Sequence, residues 1–101
     1  MRMLVKVTIP NEPFNSLQKE GKAGQIISRI LEATSPEAMY FATENGQRGG
    51  VMIVNIERES QLPSVAEPWF LSLNASIEAQ VCMTPDDLGA AGLDALGKRW
   101  R

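Results

Sequence analysis

Lys6 and Thr8 alternate with apolar residues in Met3-Leu4-Val5-Lys6-Val7-Thr8-Ile9, and Glu78 and Gln80 do the same in Ala75-Ser76-Ile77-Glu78-Ala79-Gln80-Val81. A period of two sends successive side chains to opposite faces of a strand, so each run carries one apolar and one polar face. If the two strands are sheet neighbours, Lys6 and Thr8 come toward Glu78 and Gln80. Inside a cavity, a lysine beside a glutamate could transfer a proton, with burial and the partner charge setting its protonation; on a solvated face it is an ordinary cross-strand ion pair. Tyr40, Trp69 and Trp100 join an apolar body to a polar handle, which suits either a pocket wall or a core. Phe14 and Asn15 follow the first strand, where a loop can overlook a cavity mouth. The candidates are therefore Lys6, Glu78 and Tyr40 for proton transfer, and Thr8, Phe14, Asn15, Trp69 and Gln80 for ligand binding.

What is missing narrows the chemistry further. The 101 residues contain no histidine, so no Ser-His-Asp or Cys-His hydrolysis, imidazole base or histidine-held metal can be drawn within the chain. Cys82 is the single cysteine, which excludes an internal disulfide. Asp86 and Asp87 are accounted for by helix capping and, with Asp94, show no calcium-loop spacing, so neither a metal nor another cofactor is expected. Ten Lys and Arg against twelve Asp and Glu give a net charge of −2, which offers no field for a phosphate backbone. The run Arg48-Gly49-Gly50-Val51-Met52 has the basic-glycine start of an RNA-recognition motif, but Gly50 and Met52 stand where that motif stacks bases on aromatic rings. Neither nucleic acid nor a membrane is an expected partner. No 18-residue apolar run or signal-peptide pattern is present, and the expected location is the cytoplasm.

The elements that must position these residues form one domain spanning residues 1–101. The first strand ends at Pro10, and Asn11 is placed to cap a helix carrying Phe14 and Leu17. Ile26, Ile27, Ile30 and Leu31 share one face of a second helical run that Thr34-Ser35-Pro36 stops. Ala38–Thr43 and Val51–Ile56 read as antiparallel strands around a loop that contains Asn45-Gly46, with Gly49-Gly50 assigned to the turn. Ser60–Leu73 is helical in spacing, with Pro68 expected to kink or restart it. After the fourth strand, Thr84-Pro85-Asp86-Asp87 opens a last helix that three glycines weaken. The order βαββαβ plus a C-terminal helix is the split βαβ arrangement of an α+β, ferredoxin-like fold with a four-stranded antiparallel sheet. Val51-Met52-Ile53-Val54 is apolar at every position, as in a strand buried on both faces, and the chain has too few further elements to cover both; a homodimer through the open sheet face is expected.

On element order and length, Met3 to Met83 resembles the dimeric α/β-barrel superfamily, in which two such sheets pack face to face around a cavity. That resemblance implies a small-molecule-binding homodimer. Among its alternatives are a cofactor-independent isomerase or monooxygenase and a non-catalytic regulatory or protein-interaction domain. Ala66-Glu67-Pro68-Trp69-Phe70, Thr84-Pro85-Asp86-Asp87-Leu88 and Leu93-Asp94-Ala95-Leu96-Gly97-Lys98-Arg99-Trp100 also resemble small uncharacterised bacterial proteins sometimes labelled pantothenate synthetase. The histidine-containing nucleotide motif of that enzyme has no counterpart in this chain.

Overall fold

Alternation carries through the first strand with few exceptions. In the computed structural model, which describes residues 1–101, β1 runs Arg2–Ile9 and buries Met3, Val5, Val7 and Ile9 while Lys6 is exposed. Two helices follow, α1 (Asn11–Lys19) and α2 (Ala23–Thr34), separated where Gly21 takes a φ of 73° that only glycine adopts without strain. The expected Asn11 cap does not form. Glu12 has extended backbone angles, and its carboxylate accepts from the Ser16 backbone N–H at 3.3 Å and the Ser16 hydroxyl at 2.7 Å, so regular helix begins at Pro13.

β2 (Ala38–Glu44) and β3 (Gln47–Asn55) form a hairpin whose loop is only Asn45-Gly46, with φ of 51° and 76°. Positive φ at both residues defines the turn whose twist matches the flanking strands. Gly49 and Gly50 therefore lie inside β3, not in the turn, and their role is close approach. A Cβ on Gly49 would run into the Val7 carbonyl oxygen, and one on Gly50 would sit 2.8 Å from the Tyr40 carbonyl oxygen. Backbone cannot step aside as a side-chain tip can. Gly49→Ala is expected to cost about 1–3 kcal/mol, whereas Gly24→Ala on α2, where a Cβ meets nothing, should be neutral or stabilising. Urea melts of the two variants check this, and a Gly49→Ala protein as stable as the parent would refute it.

After a short 3-10 turn at Glu59–Gln61, α3 (Leu62–Leu73) continues through Pro68 without a break. Asn74 closes it in a left-handed conformation, and β4 (Ser76–Val81) follows. The four antiparallel strands lie in the order β2-β3-β1-β4, which with helices on one face is the ferredoxin-like α+β fold. The helix-side core joins Met3, Val5, Val7 and Ile9 to Met52, Val54 and Ile56, beneath Phe14, Ile30, Val65, Trp69 and Leu73. No polar or charged residue is buried. Met52 and Val54 face the helices, so within β3 the residues left for the other face are Val51 and Ile53, both half-buried.

The last helix divides in two at Gly92: α4 (Pro85–Gly89) and α5 (Leu93–Arg99). Every residue from Pro85 to Arg101 is exposed, Leu88, Leu93, Leu96 and Trp100 included. The molecule measures 60 × 28 × 19 Å with a radius of gyration of 17.0 Å, against about 13 Å for a compact chain of this length. The C-terminal helices thus leave the far sheet face open. No helix is long and apolar enough to cross a membrane.

Candidate functional site

Strand register decides which candidates meet. Lys6 pairs with Val51 on one side and Glu78 on the other, and Val51 pairs with Tyr40. Directly opposed residues on antiparallel strands share a face, so Tyr40, Val51, Lys6 and Glu78 form one row across the face turned away from the helices. The neighbouring row is Ala38, Ile53, Leu4 and Gln80, and on the other side come Ala42, Gly49, Thr8 and Ser76. The polar residues of β1 and β4 gather at one edge, and the apolar ones at the centre.

Lys6, Thr8, Ser76 and Glu78, together with Glu44 and Asn45 of the hairpin, line a depression of about 140 Å³. Lys6 and Glu78 form no ion pair within 4 Å in the single chain, and Tyr40 is 73% exposed. The three proton-transfer candidates therefore share a row but not a closed cavity. Thr8 and Gln80 lie on the same face. Phe14 and Trp69 are on the helix side of the sheet, where Trp69 is fully buried on α3, and Asn15 is half-buried on α1. The largest surface groove, about 480 Å³, runs between α2 and α3 past Ile26, Glu67 and Leu71, and none of the candidates line it.

A second polar cluster escaped the sequence reading. The Arg2 guanidinium donates to Glu37 at 3.1 Å and approaches Asp87 at 3.9 Å, while the Asn55 side-chain amide donates to the other Glu37 oxygen. Glu37, first by its hydrogen bond and then by its charge, holds Arg2 above its ordinary pKa. Asp87 is the third residue of the expected capping box: it accepts from the Thr84 N–H at 3.0 Å and returns its own N–H to the Thr84 hydroxyl at 3.1 Å. Hydrogen bonding to its carboxylate from the Thr84 backbone N–H, and then from the Thr84 side chain, lowers its pKa, with the Arg2 charge adding to it. The cluster ties β1, the residue before β2 and the start of α4 together; nothing about it suggests a reacting group. No trio of His, Cys, Asp or Glu side chains is placed to hold a metal ion.

Arg48 was passed over as well. It stands opposite Ile9 and Thr43, and its guanidinium carbon lies 4.3 Å from the centre of the Phe14 ring. Reading Asn45-Gly46 as a two-residue loop would have put Arg48 on the apolar side, because it fixes the parity of β3.

No protein-family profile matches the chain, and no curated protein does. Among solved structures it is similar to the de novo designed protein Ferredog-Diesel, at 17% identity and a TM-score of 0.45, over 80% of this chain and 85% of that one.

Proposed function

We propose that the protein is a homodimer of the dimeric α/β-barrel type, which pairs through its open sheet faces and binds a small molecule between them. The observation that carries this reading is the row Tyr40, Val51, Lys6 and Glu78 on a face that no element of the chain covers. Leu4, Val51 and Ile53 give that face an apolar centre, which a second sheet would remove from water. The same packing would roof the depression at Lys6 and Glu78, with Thr8 and Gln80 as further ligand contacts. The projecting C-terminal helices, whose Leu88, Leu93, Leu96 and Trp100 find no partner in their own chain, are then free to lie along the other copy.

The second reading is cofactor-independent proton transfer at this site, favoured by the register that sets Lys6 directly opposite Glu78. Enclosure would take both side chains out of water, and their opposite charges would hold them together there. Sedimentation at micromolar concentration tests the dimer: the parent should be dimeric and Ile53→Lys a folded monomer. Native mass spectrometry of gently purified protein then reports retained ligand, which Lys6→Met and Glu78→Gln should each diminish with the dimer intact. A parent protein that sediments as a clean monomer would refute the proposal.

A further inference from the structure

We propose that the groove between the β2–β3 hairpin and the first two helices binds a small carboxylic acid with an apolar body, held by Arg48. This groove lies on the helix side of the sheet, so the inference does not depend on the open-face row.

The groove has a volume of about 330 Å³, and the side chains of Ile9, Phe14, Ile27 and Phe41 supply most of its wall. That volume sits near the lower end of the roughly 300–1,000 Å³ usual for small-molecule sites, and an apolar wall with few polar groups is their usual make-up. Arg48 is the one charged residue among those that line it. Phe14 covers one face of the guanidinium and orients it, an arrangement that holds the charge without using its N–H donors. The Arg48 Nη1 atom is shut off from solvent and has no hydrogen-bond acceptor, and no carboxylate lies within 4 Å of the side chain. A guanidinium with no ion pair in its own chain keeps its solvent-reachable nitrogens, rather than the enclosed Nη1, for an anion that enters the groove.

The chemistry of that anion follows from its surroundings. A planar carboxylate matches the guanidinium fork, and an aryl or alkyl body fits between Phe14, Ile27 and the half-open ring of Phe41. A phosphate would have to shed its water against an apolar wall with a single arginine to replace it. The charge of the site thus selects a carboxylate and its wall an apolar remainder.

Titration of the 101-residue chain with benzoate, phenylacetate, benzyl alcohol and inorganic phosphate, followed by amide and side-chain NMR, tests the proposal. At least one of the two acids should saturate, with shifts centred on Phe14, Phe41 and Arg48, and should bind at least about tenfold more tightly than the neutral alcohol, as expected for loss of a charge-assisted contact. Arg48→Met should weaken that acid by a similar factor, whereas Lys6→Met and Glu78→Gln should leave it unchanged. If Arg48→Met does not fold, the comparison of acid with alcohol on the parent decides. The proposal is overturned if neither acid saturates at millimolar concentration, if the alcohol or phosphate binds as well, if the shifts map elsewhere, or if a folded Arg48→Met binds as the parent does. Loss of acid binding on Lys6→Met or Glu78→Gln would move the site to the other face and overturn it too.

Discussion

Met52→Lys is expected to leave no folded protein at room temperature, while Ile53→Lys, one residue along, keeps the fold. Met52 is fully enclosed between β1, β2 and the helices, in a core with no buried polar group to receive an ammonium. Burying an unpaired charge, or neutralising it to enter, costs several kcal/mol, a large part of the roughly 5–15 kcal/mol that holds a domain together. Ile53 points to the open face, where a lysine can lay its stem along the sheet and put its charge in water. Gln47→Lys, next to the turn, should change stability by no more than about 0.5 kcal/mol. Far-ultraviolet circular dichroism and urea melts of the three variants separate these outcomes. A Met52→Lys protein that melts like the parent would mean that β3 is turned over.

The second large effect concerns Trp69, which has no exposed surface and an indole N–H without an acceptor. Trp69→Ala removes the biggest buried side chain and should cost about 3–5 kcal/mol. Trp69→Phe keeps much of the volume and also removes the unpaired N–H, so the two changes offset and its cost should stay below about 1.5 kcal/mol. The other tryptophan, Trp100, is 78% exposed, and a Trp100→Phe background leaves Trp69 as a fluorescent reporter of core opening. If Trp69→Phe proves as damaging as Trp69→Ala, the N–H has a partner.

Those expectations draw on parts of the fold that were legible in the sequence to different degrees. The strands of Lys6 and Glu78 could be read because strict alternation fixes both the element and the face, and the element order then makes β1 and β4 neighbours. The same logic brought Thr8 and Gln80 to that face. β3 gave no such guide: with four apolar residues in succession its parity was hidden, and only the two-residue turn at Asn45-Gly46 reveals that Met52 and Val54 turn inward. Gly49 and Gly50 were read as turn residues because glycine signals a turn by composition, whereas what they meet is the backbone of the adjoining strands. Arg2, Glu37, Asn55 and Asp87 lie far apart in the chain, and no local pattern announces a cluster built by tertiary packing. Trp69 was a candidate pocket residue on side-chain chemistry alone; a helix lying flat on a sheet makes it core.

The position of β1 at the centre of the sheet sets the sequence of events during synthesis. Its apolar row, Met3 through Ile9, is made before either of its partners, β3, which begins at Gln47, and β4, which begins at Ser76. Until Glu78 has been made, Lys6 has an unoccupied edge and the strand carrying it cannot complete its pairing. Contacts so distant along the chain slow the search for the native state, and β3, paired with β2 in a local hairpin, is the one partner that β1 can take in the meantime. The sheet is therefore completed last at its β4 edge. Until β4 is made, that open edge of β1 is a place where a strand of another chain could pair.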